Sequence, residues 1–137
     1  MLEVGYFAEA DFTVQPADAA KRLSLSAEDA FPEVFATSRM IALMELAAAR
    51  AMRPLLQTGQ LSVGTVLNVR HVAATPIGCK VRARATYLGA EGKIFRFRVE
   101  AYDEAGLIGD GDHSRAVVDT ERLMSGAERR RGGAAGS

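Results

Sequence analysis

The sequence predicts an α+β domain in which one curved antiparallel sheet of about five strands wraps around a single central helix. Three observations favour this class. One strand-like segment comes first, and the only strong helix-forming segment follows it and is apolar in almost every direction. Four later segments alternate apolar with polar residues, as in an antiparallel sheet with one solvated side. We expect this domain to cover residues 1–123, with a disordered tail at 124–137.

The composition of the 137-residue chain indicates a single cytoplasmic domain. Seventeen basic residues balance 17 acidic ones, so no global field attracts nucleic acid or anionic lipid. The only cysteine, Cys79, has no partner for an internal disulfide, and the N-terminus lacks a signal-peptide pattern. The most apolar run, Met40 to Ala49, is interrupted by Glu45 and is shorter than the roughly 20 residues that span a membrane. We therefore expect neither a nucleic-acid partner nor a membrane partner.

The first strand is expected at Gly5 to Val14, where Pro16 ends the pattern. The helix is expected at Ser38 to Leu56, which is rich in Ala, Leu, Met and Arg, with Thr37 or Ser38 as its N-cap. At 3.6 residues per turn its arginines share one narrow arc, so the helix should be largely buried. Glu45 lies about 80° from the nearest of these arginines and points into apolar surroundings.

The later strands are expected near residues 64–73, 80–88, 94–102 and 107–119. His71 shares the apolar face of the first of these strands with Leu67 and Val69. The last contains Gly109 and Gly111, which often mark a bulge or the close approach of another group. A hairpin meander is the simplest topology.

Few groups in this sequence are suited to catalysis. It contains no P-loop, serine-hydrolase elbow, His-Glu-x-x-His pair or Cys-rich metal cluster, and Asp110 and Asp112 lack a third acidic ligand at calcium-loop spacing. We therefore expect no metal. Packing the helix on the sheet could bring Glu45 and His71 together as an acid, base or nucleophile.

Each candidate also has a structural interpretation. Glu45 could be a carboxylate paired with an arginine, and His71 a hydrogen-bonded core histidine. Thr37 could serve only as an N-cap. Arg115, which shares a strand face with His113, could pair with Glu45 or contact an anionic ligand.

Three segments resemble the fluoroacetyl-CoA thioesterases and their relatives in the thioesterase superfamily. They are FPEVFATSRMIALMELAAARAM, VGTVLNVRHVAATPIG and LIGDGDHSRAVV, and the likeness covers roughly residues 5 to 120. The family spacings are met by five residues: Thr37, Glu45, Gly64, His71 and Arg115. The resemblance implies a hot-dog fold, a homodimer that binds acyl-CoA near its subunit interface, and hydrolysis to a carboxylate and free CoA. It implies no metal or tightly bound cofactor.

The resemblance also implies roles for individual residues. Glu45 would act as nucleophile or as base for water, His71 would transfer protons and polarise the thioester, and Thr37 would orient the carboxylate. The backbone N–H of Gly64 would approach the substrate carbonyl, although Gly64 could also be a simple strand-start glycine. Arg115 is expected to contact the substrate.

The lid before the helix departs from the family pattern. Phe31 and Phe35 match and are expected to contact the substrate, but Glu28 stands where a second lid phenylalanine is expected. Selectivity for fluoroacetyl-CoA is therefore left open. A domain that binds acyl-CoA without turnover is one alternative function, and an enoyl-CoA hydratase is another. The retained Thr37, Glu45 and His71 favour hydrolysis.

Overall fold

The computed structural model describes residues 2–135 and has a five-stranded antiparallel sheet with one helix packed on it. The strands are β1 (Phe7–Thr13), β2 (Gln60–His71), β3 (Lys80–Glu91), β4 (Ile94–Asp103) and β5 (Gly106–Asp119). Helix α1 spans Thr37–Met52, helix α2 spans Thr120–Ala135, and three short 3₁₀ helices lie at Pro16–Asp18, Ala20–Leu23 and Arg53–Leu55. The sheet order is β1-β3-β4-β5-β2, so β1 and β2 form the edges. The α+β prediction is confirmed.

One side of α1 supplies the centre of the core. The buried side chains of α1 are Met40, Leu43, Met44, Ala47, Ala48, Ala51 and Met52. They pack with Val81, Ala83, Phe97 and Val99 from the sheet. The opposite side is open, and Leu46 is 43% exposed. The prediction of a largely buried helix therefore holds for one side only, because a single sheet layer covers a helix from one direction.

The glycines of β5 allow close packing against β2 and α1. A β-carbon at Gly109 would lie 2.6 Å from the sulfur of Met40, and one at Gly111 would collide with the carbonyl oxygen of Asn68. The close approach expected at these two glycines is confirmed. It lets the edge strand β2 run beside β5 along nearly its whole length.

The C-terminal segment differs from the expected disordered tail. Helix α2 continues to Ala135, which corrects the prediction over residues 124–135, while 136 and 137 lie outside the described residues. The start of α2 is held by the carboxylate of Asp119, which accepts the N–H of Arg122 at 3.0 Å. Glu128 and Arg131 pair one turn apart. Such local interactions stabilise an exposed helix without apolar periodicity. Within residues 2–135, no helix is long and apolar enough to cross a membrane.

Candidate active site

Thr37 and His71 form a hydrogen-bonded pair where α1 begins. The oxygen Oγ1 of Thr37 lies 2.7 Å from Nδ1 of His71, the last residue of β2. The N-cap of α1 is Ala36, which has an extended backbone and no side-chain cap, so the predicted N-cap at Thr37 or Ser38 is wrong. As the first helical residue, Thr37 directs its hydroxyl at the imidazole instead of the backbone. Its structural interpretation as a cap is thereby removed.

The second nitrogen of His71 is free to act on a ligand. Among residues 2–135, Nε2 of His71 is the one buried side-chain nitrogen or oxygen atom without a hydrogen-bond partner. Burial lowers the pKa of His71 from its ordinary value of 6.5, and a hydrogen bond with the Ala73 backbone opposes this shift. Burial therefore favours the neutral imidazole. Unsatisfied buried groups of this kind occur at catalytic sites.

A cleft of about 390 Å³ opens beside this pair. Its wall is mostly apolar and consists of Ala20, Phe31, Pro32, Val34, Phe35, Thr37, His71, Val72, Ala73 and Ala74. Phe31 is 46% exposed, whereas Phe35 is buried and packs edge-on against Phe12 with ring centroids 5.7 Å apart. Phe31 thus has the exposure of a lid side chain, and Phe35 is a core residue that borders the cleft.

The loop that carries Phe31, residues 20–34, is held by hydrogen bonds at two places: its neck, where the two ends meet, and its tip, the turn at residues 25–29. At the neck, the N–H of Ala20 donates to the carbonyl of Val34 at 2.8 Å. At the tip, the carboxylate of Asp29 accepts the N–H groups of Leu25 and Ser26 at 2.7 and 3.0 Å. Glu28 is exposed beside this turn. The tip therefore presents a carboxylate to solvent three residues before Phe31.

Glu45 belongs to a second cluster with Arg115. Its Oε2 accepts a hydrogen bond from Nη1 of Arg115 at 3.3 Å, and its side chain is 39% exposed. Burial lowers the pKa of Arg115, while Glu45 opposes that shift. The arginine partner foreseen for Glu45 is thus present, although the carboxylate reaches solvent and is not sealed in the core.

At Gly64, β2 passes close to the carboxylate of Glu45. A β-carbon there would lie 2.8 Å from Oε2 of Glu45 and 3.0 Å from Cε1 of His113. The pairing of β2 with β5 shifts register between Gly64 and Val66, which marks a bulge at this position. Gly64 therefore has a steric function beyond starting a strand.

Within one chain the two clusters are separate. No hydrogen bond within residues 2–135 joins Glu45 to Thr37 or His71. Glu45 contacts Gly64, and His71 lies seven residues further along β2, on the order of 20 Å in an extended strand. The expected meeting of Glu45 and His71 is therefore not made by a single copy of the chain. Glu45 and His71 both lie on the side of the sheet that carries α1, but at different positions along β2.

We expect Gly64→Ala to reduce the activity of this site with little effect on stability. The added methyl would displace the Glu45 carboxylate, the far end of a flexible side chain, and would press on His113. Misplacement of a reacting group by about 1 Å commonly costs ten- to a hundredfold in rate. The check is turnover together with the melting temperature, with Gly126→Ala on α2 as the matched control. Full activity of Gly64→Ala would show that the close approach has no functional role.

Sequence reasoning did not assign roles to Ser62 or His113. Ser62 accepts two hydrogen bonds from Arg115, and His113 lies within hydrogen-bond distance of the same guanidinium. The period of two in β5 already placed His113 beside Arg115. No pattern in β2 distinguished Ser62, because its role depends on pairing with β5.

Comparison with known proteins identifies relatives over most of the chain. The family model for fluoroacetyl-CoA-specific thioesterases matches residues 14–121. The fluoroacetyl-CoA thioesterase of Streptantibioticus cattleyicolor is 43% identical over 115 residues, which are 82% of this chain and 83% of that protein.

Solved structures agree with this result. This chain is 40% identical in sequence to the fluoroacetyl-CoA thioesterase FlK, and the two structures superpose with a TM-score of 0.89. The match covers 94% of this chain and 97% of the FlK chain. A mutant of FlK in complex with fluoroacetate and CoA is 42% identical with a TM-score of 0.83, covering 89% and 99%. A thioesterase superfamily member from Thermus thermophilus is 28% identical with a TM-score of 0.87, covering 98% and 97%.

Proposed function

The chain belongs to the family of fluoroacetyl-CoA-specific thioesterases, and we propose from this membership that it hydrolyses a short acyl-CoA to a carboxylate and free CoA. The observation that carries the proposal is the Thr37–His71 pair at the apolar cleft, with Nε2 of His71 free and buried. A neutral imidazole so placed can transfer the protons that thioester cleavage requires. A cytoplasmic location remains our prediction, supported by the single cysteine of the chain.

The proposed chemistry uses the carboxylate of Glu45 in one of two ways. By direct attack on the thioester carbonyl, it would form an acyl anhydride and release CoA, and water would then hydrolyse the anhydride. As a general base, it would take a proton from water, and the resulting hydroxide would attack the same carbon. In both routes the neutral imidazole of His71 accepts the proton that the water gives up, directly or by way of Glu45, and passes it to the thiolate of CoA, while Thr37 holds the imidazole in position. The N–H of Gly64 would stabilise the negative charge on the carbonyl oxygen, and Arg115 would hold the carboxylate near the substrate.

We propose that the functional unit is a homodimer formed through β2. This 12-residue strand is a sheet edge with unpaired backbone groups, and Leu61, Val66 and Leu67 are 50, 56 and 37% exposed on it. A long apolar edge strand readily pairs with another chain, and two-fold pairing is the commonest closed arrangement.

Antiparallel pairing of two β2 edges would also complete the site. With the two-fold axis near Asn68, His71 of one copy would stand opposite the Gly64 bulge of the other. Gly64 pairs with Arg115 and His71 pairs with Gly109, and both of these β5 residues face α1. Gly64 and His71 therefore face α1 as well. Glu45 of one copy would then approach the Thr37–His71 pair of the second copy. This arrangement explains why a single copy leaves the two clusters apart.

Subunit complementation tests the dimer and the shared site together. Glu45→Gln and His71→Ala should each be nearly inactive alone, whereas unfolding and refolding them as a mixture should restore activity at about a quarter of the wild-type sites. Restoration is expected because each mixed dimer has one site with an intact Glu45 and an intact His71. Light scattering at micromolar concentration supplies the mass. A monomer, or a mixture that stays inactive, would contradict the shared site.

Glu28 is expected to weaken the selection of fluoroacetyl-CoA over acetyl-CoA. An exposed carboxylate three residues before Phe31 would keep the cleft entrance wetter than an aromatic lid would. We expect Glu28→Phe to raise the ratio of the two kcat/KM values by roughly tenfold, within the 1–3 kcal/mol that small pocket changes typically contribute. Glu28→Gln, which removes the charge without adding a ring, is the matched control. An unchanged ratio in Glu28→Phe would place selectivity elsewhere.

A thiol-release assay across an acyl-CoA panel tests the function itself. The panel should contain fluoroacetyl-, acetyl-, butyryl- and octanoyl-CoA, and we expect turnover to favour the short chains. Calorimetry with the same compounds detects binding without hydrolysis. Saturable binding with no thiol release would replace the hydrolase by an acyl-CoA-binding domain.

A further inference from the structure

His113 is a buried histidine whose hydrogen bonds define its protonation state. It is 1% exposed, with Nδ1 2.8 Å from the carbonyl oxygen of Val66 and Nε2 3.0 Å from Nη1 of Arg115. A guanidinium nitrogen only donates, so Nε2 must accept, and Nδ1 must carry the proton that is donated to Val66. The contacts on both sides therefore require the neutral imidazole with its proton on Nδ1.

The donors of Arg115 are divided among three residues. Its Nε donates to Oγ of Ser62 at 3.0 Å, and Nη2 donates to the carbonyl of Ser62 at 2.9 Å. Its Nη1 lies 3.0 Å from His113 and 3.3 Å from Oε2 of Glu45. Glu45 thus receives a single long hydrogen bond, where an unrestrained arginine favours a bidentate pair with a carboxylate. No hydrogen bond within the described residues reaches its second oxygen, Oε1.

We infer that His113 is a positioning residue that holds Arg115 in a one-point contact with Glu45 and so keeps the carboxylate reactive. The inference rests on the proposed role of Glu45 in thioester hydrolysis. A bidentate guanidinium would stabilise the carboxylate anion at both oxygens and make it a poorer nucleophile or base. Ser62 already holds Nε and Nη2 of Arg115. By accepting an N–H of Nη1, His113 restricts the nitrogen that remains for Glu45 to a single contact, while the positive charge stays near the site.

The surroundings of His113 support this role. Burial lowers its pKa, and the positive Arg115 on the same strand acts in the same direction, whereas the Val66 carbonyl and Glu45 from α1 oppose the shift. The net direction favours the neutral form that can accept from Arg115. The Val66 carbonyl flanks the β2 bulge, so the same imidazole also anchors the segment that brings Gly64 to Glu45.

Two substitutions separate the two hydrogen bonds. His113→Gln can place its amide oxygen where Nε2 accepts from Arg115, while His113→Asn can keep the donor to Val66 but does not reach Arg115. We expect His113→Asn to lower kcat by roughly tenfold or more with KM changed less than about twofold, and His113→Gln to retain kcat within about threefold. The melting temperature of both variants reports any general loss of packing. Equal loss of kcat in both variants, or full activity of His113→Asn, would overturn the inference.

Nitrogen-15 NMR of the histidine side chains at pH 7 gives a measurement independent of activity. We expect the wild-type imidazole of His113 in the neutral form with its proton on Nδ1. A proton on Nε2, or a charged ring, would overturn the inference even in an active enzyme. If the wild type hydrolyses nothing in the acyl-CoA panel, the proposed function fails instead, and the NMR result still reports the hydrogen-bond arrangement.

Discussion

Glu45→Gln is expected to lower the hydrolysis of a short acyl-CoA by at least about a hundredfold while the fold stays intact. The amide keeps the shape of the side chain, and its oxygen can still accept from Arg115, but it is a poor nucleophile and a poor base. Because Glu45 is 39% exposed and makes one long hydrogen bond, the substitution removes little structural support. Thiol release and the melting temperature, measured together, check both halves of this expectation.

Glu121→Gln on the exposed α2 helix is the matched control for removing one carboxylate. Turnover near the wild-type value in Glu45→Gln would reduce Glu45 to a structural partner of Arg115. Hydrolysis in water enriched in oxygen-18 then separates the two routes. Direct attack labels the Glu45 carboxylate over repeated turnovers when water opens the anhydride at the Glu45 carbonyl, whereas base catalysis labels only the product, so label in Glu45 identifies direct attack.

The sheet and the central helix could be predicted because their signals are local. Alternation with period two indicated β3 and β4 correctly, since each strand has one face on the core and one in solvent. The open side of α1 could not be foreseen, because a side chain such as Leu46 looks the same whether its own sheet or a second chain covers it. The N-cap at Ala36 could not be predicted either, because the hydroxyl of Thr37 hydrogen-bonds to His71, which is distant in sequence.

The candidate residues could be selected from the sequence, but their arrangement could not. Periodicity places Glu45 on one side of a helix and His71 on one face of a strand, but it does not say where along each element they meet. A helix rises about 1.5 Å per residue and a strand about 3.3 Å, so similar spacings in sequence become different distances. The eight residues from Thr37 to Glu45 span about 12 Å, whereas the seven from Gly64 to His71 span nearly twice that. In the proposed dimer, a second β2 edge would restore the proximity that the hypothesis required.

His71→Ala is expected to lower turnover by about a hundredfold or more, because positioned acid–base catalysis typically contributes 10²–10⁴. Thr37→Val is the matched variant, since it keeps the volume near the imidazole but removes the hydrogen bond to Nδ1. We expect a smaller loss in Thr37→Val, because the ring is still present but less well oriented. Equal activity of His71→Ala and the wild type would remove His71 from the mechanism.

The pH dependence of activity should follow from the same imidazole. In its neutral form His71 can accept a proton, and burial lowers its pKa from the ordinary 6.5, so activity should fall on acidification. Glu45 of a second copy would favour the charged ring and move the midpoint upward, so an NMR titration of His71 in Glu45→Gln isolates the effect of burial. We expect a midpoint below 6.5 in that variant. A titration midpoint above 6.5 for His71 in Glu45→Gln would mean that water reaches Nε2. If activity still falls on acidification in His71→Ala, the fall would belong to another titrating group.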